Sequence, residues 1–261
     1  MKNKRVNKME REPTGIPGMD KLIDGGIPKK SVSLVSGSPG TGKTIYSLQF
    51  LREGAKRYDQ RCLYISFEEE PESIIKQGEG FGWDLKELQA SKNFKIIYND
   101  ITRRTLGENE SYLDVIRGQI ERYKPDRLAI DSLTTLSNFP VSFEELSQYG
   151  LATDFDRFSP IGIQQDLLIR LQMHKLIKVV RNADCTSLLI SEIQKGSEEM
   201  SSDKVSEFLS DNVILLKYPG GNIKRTLKIE KMRGTDHYED EASMDITEDG
   251  IQVEKIEEQF K

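Results

Sequence analysis

The chain has 261 residues, a net charge of −5 at pH 7, 36% hydrophobic and 31% charged residues, which suits one large α/β domain with a full core. No apolar run is long enough to cross a bilayer, and the acidic balance argues against a protein that coats nucleic acid by bulk charge. Cys62 and Cys185 lie in apolar runs and read as buried reduced thiols, His174 and His237 are too few for a metal cluster, and the basic start (MKNKRVNKMER) lacks a signal peptide's apolar core, so a cytoplasmic location is expected.

Residues 1–12 read as a flexible basic tail, with Lys2, Lys4, Arg5, Lys8 and Arg11, and the folded domain is expected over 13–261. Thr14 to Pro28 has glycines and prolines on both sides of one helical turn, Met19 to Ile23. Ser31 to Ser36 is a short β-prone run ending at Gly37, and Ile45, Leu48 and Leu51 recur at helical spacing between Gly42 and Arg57. Cys62 to Phe67 is a second strand. Glu72 to Phe81 is a second helix, since Pro71 suits a first turn. Phe94–Tyr98, Ser111–Tyr123, Arg127–Ile130, Ile163–Asn182 and Thr186–Ile190 continue as strand, helix, strand, helix, strand. Such alternation implies right-handed crossovers and a mostly parallel sheet flanked by helices.

After Asp211 the pattern changes. Asn212–Tyr218, Ile223–Lys231, Ser243–Thr247 and Ile251–Glu254 are separated by Pro219-Gly220-Gly221 and Glu248-Asp249-Gly250, which reads as antiparallel hairpin strands added to one sheet edge.

The chemistry begins at Gly37-Ser38-Pro39-Gly40-Thr41-Gly42-Lys43-Thr44, followed by Ile45. It matches G-x-x-x-x-G-K-[ST] between a predicted strand and a predicted helix, where backbone N–H groups and the positive helix end converge on an anion. Lys43 is expected to reach the β- and γ-phosphates of ATP, and the Thr44 hydroxyl to ligate Mg²⁺. A second metal-shell group is needed on a neighbouring strand, and Asp131 closes Arg127 to Asp131 (RLAID) at the carboxyl edge where ligands bind in such folds. Glu68, Glu69 and Glu70 follow the second strand at that edge, as candidates to orient or deprotonate water.

With these elements placed, the chain resembles the KaiC-like group of RecA-superfamily ATPases over nearly its whole length. Thr14 to Pro28, GSPGTGKT, Phe67-Glu68-Glu69 with Phe81-Gly82-Trp83-Asp84, and above all Lys231-Met232-Arg233-Gly234-Thr235-Asp236-His237 carry the resemblance, the last being similar to a K-x-R-G-T-x-H signature. It implies a RecA-like fold, Glu68 and Glu69 as catalytic carboxylates, and Asp131 on the metal. It also implies that Lys231, Met232 and Arg233 serve the nucleotide of a neighbouring subunit in a homo-oligomer, expected as a hexameric ring. Thr235, His237, Thr247 and Glu248 match positions near base and ribose. The clock protein that names the group has two fused ATPase domains; a single one is expected here.

Three functions compete. The first is a nucleotide-driven oligomer that hydrolyses ATP and acts on an unidentified protein partner. The second is a RecA- or RadA-like DNA recombination ATPase, but its two DNA loops would fall at 138–160 and 195–211, and each segment has a net charge of −3, so DNA is disfavoured. The third, a non-hydrolysing switch, sits poorly with two retained glutamates.

Overall fold

The computed structural model describes residues 9–100, 112–137, 161–218 and 224–256. The rest of the basic tail, the 138–160 segment, the 219–221 turn, and the expected element starts at Ser111 and Ile223 lie outside the described residues.

Two strands of two residues open the fold, β1 (Arg11–Glu12) and β2 (Ile27–Pro28), with α1 (Met19–Leu22) between them. Then come β3 (Val32–Gly37), α2 (Lys43–Arg57), β4 (Cys62–Ser66), α3 (Pro71–Glu79), α4 (Leu85–Ala90) and β5 (Phe94–Tyr98). Next are α5 (Tyr112–Tyr123), β6 (Arg127–Asp131), α6 (Leu133–Ser137), α7 (Ile161–Asn182), β7 (Thr186–Glu192) and α8 (Ser206–Leu209). The last strands are β8 (Asn212–Lys217), β9 (Arg225–Met232), β10 (Ala242–Thr247) and β11 (Gly250–Lys255).

The main sheet has nine strands in the order β11-β10-β9-β8-β3-β7-β6-β4-β5. The block from β8 to β5 is parallel, whereas β9, β10 and β11 pair antiparallel. The expected architecture of parallel sheet, flanking helices and antiparallel end strands is therefore what the chain builds.

Alternation along the central strands divides the apolar side chains between two layers. Val35, Tyr64, Ala129, Leu188 and Ile214 join α1, α2 and Trp83 on one face. Leu34, Ile65, Leu128, Leu189 and Val213 meet α5, α6 and α7 on the other. Phe50 and Leu51 of α2 are fully buried, each contributing roughly 2 kcal/mol, and they fix α2 against the sheet with its amino end at the carboxyl edge.

Several elements differ from the sequence reading. Helix α3 runs from Pro71 to Glu79, with Phe81 beyond its end. Helix α4 was not anticipated; Asp84 caps it by accepting from the Glu87 N–H at 2.8 Å. The tail was expected to run through residue 12, but Arg11 and Glu12 pair with Pro28 and Ile27. Glu12 is buried because Arg127, 0% exposed, donates to it at 3.1 Å; an interior guanidinium requires that carboxylate.

Candidate nucleotide site

Register brings the chemistry to one edge. Gly37, the last residue of β3, lies opposite Glu192 of β7 and Leu216 of β8. Ser66, the last residue of β4, lies opposite Asp131 of β6. These strands are parallel, so their carboxyl ends open together onto one crevice, the usual ligand position in such sheets.

The loop from Gly37 turns into α2 at Gly42, whose φ of 102° is left-handed; a Cβ there would lie 3.1 Å from the Ile246 side chain, so glycine suits both backbone and neighbour. The Ser38 carbonyl accepts from the Thr41 hydroxyl at 2.8 Å and from Lys43 Nζ at 3.1 Å. Lys43 Nζ also lies 3.6 Å from the Glu192 carboxylate. No side chain caps α2, so its first-turn N–H groups face the cavity with the helix's positive end.

Thr44, one residue on, donates its hydroxyl to Asp131 Oδ2 at 3.0 Å. Tyr64 donates to the same oxygen from within the sheet. Asp131 is only 8% exposed, and burial pushes its pKa from 3.8 up to about 6; the Glu68 carboxylate pushes the same way, while Tyr64, Thr44 and Lys43 oppose it. A hydroxyl and a carboxylate at this spacing are hard oxygen donors of the kind Mg²⁺ takes.

The consecutive glutamates diverge. Ser66 Oγ accepts from the N–H groups of Glu68 and Glu69, at 3.3 and 2.9 Å. The Glu68 carboxylate then takes hydrogen bonds from Ser132 and, at 2.7 Å, from Thr135, beside Asp131. Glu69 turns to α3, where Gln77 donates to it at 2.6 Å and Ser73 at 2.5 Å. Glu70 is the residue before α3 and is exposed.

Gly40, Lys43, Thr44, Ile45, Glu68 and Asp131 line a cavity of about 390 Å³ together with Pro39, Gln77, Glu192, Arg225 and Ile246, a size within the range of ligand clefts. The last four were not anticipated. Glu192 ends β7 two residues past the expected strand, so its edge position was hidden. Arg225 enters through strand order: its guanidinium is 4.1 Å from the Tyr218 ring centre and donates to the Gly40 carbonyl at 3.3 Å. A signal was available for Arg225 alone, as a cation beside the hairpin turn.

The Lys231 to His237 stretch is not brought to this cavity. Lys231 and Met232 pair with Val213 and Asn212 at the start of β8, and Asn212 lies opposite Ser33 at the start of β3. That is four residues before Gly37, roughly 13 Å at a strand rise of about 3.3 Å per residue. Lys231 Nζ donates to the carbonyls of Ser210 at 2.6 Å and Glu207 at 3.0 Å, and burial, with Arg233 beside it, lowers its pKa. Arg233 pairs with Asp211 at 3.1 Å, Met232 is buried in the core, Thr235 accepts from Arg11 at 3.1 Å, and His237 Nδ1 lies 3.2 Å from the Tyr238 carbonyl. Thr247 and Glu248 instead follow Ile246 on the near edge, where Thr247 donates to the Gly250 carbonyl at 2.9 Å.

Among the described residues no cluster of three histidine, cysteine, aspartate or glutamate side chains stands ready for a metal, and no helix is long and apolar enough to cross a membrane.

Comparison with known proteins agrees with this geometry. A family model described as "ATPase: KaiC" matches residues 12–145 and 153–258. The circadian clock oscillator protein KaiC of Prochlorococcus marinus is 32% identical over 97% of the chain and 48% of that relative, so the chain spans about half the length of the KaiC proteins it matches. The UPF0273 protein MJ1359 of Methanocaldococcus jannaschii is 33% identical over 94% of the chain and 96% of its own length. The crystal structure of the KaiC-like protein PH0186 from Pyrococcus horikoshii superposes with a TM-score of 0.74 at 26% identity, covering 94% of this chain and 99% of that one. The phosphate loop, the edge carboxylates and the matched family model lead to one conclusion: this chain belongs to the KaiC family of ATPase domains.

Proposed function

We propose that the chain is a Mg²⁺-dependent ATP phosphohydrolase that works as a homo-oligomer, with each site completed by cations of the neighbouring subunit. The observation that carries this reading is the convergence of Lys43, the Thr44–Asp131 pair and Glu68 on one cavity. The loop N–H groups and Lys43 would hold the β- and γ-phosphates, and Ile45, Thr247 and Glu248 would lie toward base and ribose. Thr44 and Asp131 would hold Mg²⁺, which when bound neutralises charge on the β- and γ-oxygens. Glu68 takes the proton of the attacking water as the γ-phosphoryl group passes to it, giving ADP and inorganic phosphate. Glu69, turned to Ser73 and Gln77, steadies α3 and the turn that presents Glu68.

Register supports the role of the neighbour. Lys231 and Arg233 lie at the far edge of their own sheet, so any contact they make with a γ-phosphate belongs to another copy's site. A ring closed by heterologous contacts brings one copy's far edge against the next copy's near edge. Six copies, and regulation through a protein partner, follow from family resemblance. DNA remains the weaker alternative: 138–160 lies outside the described residues, and in the other acidic segment Lys204 is paired with Glu199 at 2.6 Å.

Mg²⁺-dependent phosphate release by the wild type and by Glu68→Gln tests the reading. Loss of a positioned base lowers turnover by roughly 10²- to 10⁴-fold. Equal rates in the two would remove Glu68 from the chemistry.

A further inference from the structure

The Tyr64 hydroxyl is a buried polar group whose partner, the Asp131 carboxylate, lies in the nucleotide site. On β4, Tyr64 sits opposite Ala129 of β6, and Ser66 opposite Asp131. Period-two alternation puts Tyr64, Ser66, Ala129 and Asp131 on one face of the sheet, the face covered by α2. Across paired strands a diagonal neighbour lies about 7–8 Å away, within reach of an aromatic side chain. Ala129 is small enough for the ring to lie across it, so the phenol arrives at Asp131 Oδ2. Tyr64 is 1% exposed, and its ring packs in the core layer beneath α2.

Thr44 donates to that same Oδ2 at 3.0 Å. Asp131 is thus held from two sides, by a hydroxyl at the mouth of the site and by another that no solvent reaches. If Thr44 turned its oxygen to a metal, the Tyr64 bond would be the one left to keep the carboxylate in place. Groups behind a metal ligand that fix its orientation commonly change metal affinity by 10- to 100-fold when removed.

We propose that Tyr64 is a positioning residue for Mg²⁺, holding the Asp131 carboxylate in the orientation that receives the metal. This rests on the nucleotide-site reading above. Its role is separate from holding phosphate, because the phenol lies between the sheet and α2 and the phosphate-facing groups are those of the loop.

Tyr64→Phe removes one oxygen and keeps the ring. The affinity of the full chain for a fluorescent ATP analogue is measured in EDTA and across a Mg²⁺ titration, for wild type, Tyr64→Phe, Asp131→Asn and the double variant. Affinity in EDTA is expected to match wild type in Tyr64→Phe, while the Mg²⁺ concentration giving half the metal effect rises about tenfold. In the Asp131→Asn background the second substitution is expected to change nothing further, because the group it positions is gone. A thermal melt in EDTA checks that each variant is folded. Unchanged Mg²⁺ dependence in Tyr64→Phe, or an equal shift in both backgrounds, would overturn the proposal while leaving the site reading intact. A wild type that binds no nucleotide in either condition would overturn both.

Discussion

At the scale of single residues, Asp131 holds the site's most consequential charge. Its pKa rises from 3.8 to about 6 chiefly through burial. Between those values the folded chain keeps a proton that the unfolded chain has released, so without metal stability falls as pH rises from about 4 to about 6. A shift of about two units corresponds to roughly 3 kcal/mol. Denaturant unfolding of wild type and Asp131→Asn in EDTA at several pH values is expected to show the stability of the wild type falling relative to that of the variant over this window. Parallel stability profiles for the two proteins would rule out the raised pKa. Much of this chemistry was legible from sequence because it is local. Gly37 to Thr44 is contiguous, Glu68 closely follows a recognisable strand and Asp131 ends one. Tyr64 and Glu192 were not legible, and Arg225 only as a cation beside a turn, because their places in the site come from strand register, which joins residues 67, 149 and 185 positions distant in the chain to their partners there.

At the scale of elements, long strands and helices announce themselves by period, while very short ones depend on a tertiary partner. Two-residue β1 has no pattern of its own. It is held because Arg127, inside the first residue of β6, donates to Glu12, to Gln60 at 2.7 Å, and to the carbonyls of Pro13 and Phe50 at 2.9 and 2.8 Å. The guanidinium also lies 4.5 Å from the Phe50 ring centre, a cation–π arrangement. On the other side of β1, Arg11 reaches the carbonyls of Ile23 and Gly26 and the Thr235 hydroxyl. This short strand therefore ties the start of the chain both to the central sheet and to the stretch that carries Lys231 and Arg233. Removing Glu12 leaves a buried cation among neutral acceptors, a change that typically costs about 3–5 kcal/mol. Glu12→Ala is expected to lose roughly 3 kcal/mol in chemical unfolding, toward the lower end because three neutral acceptors remain. A loss below about 0.5 kcal/mol, the scale of an ordinary surface substitution, would show that β1 is dispensable.

At the scale of the whole molecule, the sheet separates the two halves of the proposed active site. Its carboxyl edge presents Lys43, Thr44, Glu68 and Asp131, and the far end of β9 presents Lys231 and Arg233, braced by the carbonyls of Glu207, Phe208 and Ser210 and by Asp211. Such bracing fixes the cations before any neighbour arrives, so assembly would not have to order two long side chains at the contact. The proposed catalysis in trans would have a stoichiometric consequence. An Arg233→Ala subunit keeps an intact loop and base, and a Glu68→Gln subunit keeps an intact Arg233, so each homogeneous assembly has only defective sites. In a mixed ring, an Arg233→Ala subunit followed by a Glu68→Gln subunit forms one complete site. Random mixing in equal amounts makes about one contact in four of this kind when every contact is head-to-tail. Mg²⁺-dependent phosphate release from the mixture is expected to recover toward about a quarter of the wild-type rate, from parents each at least about 100-fold slower. Mixtures that stay as slow as their parents, although mass measurement shows the two kinds of subunit in one assembly, would return Arg233 to a purely structural role.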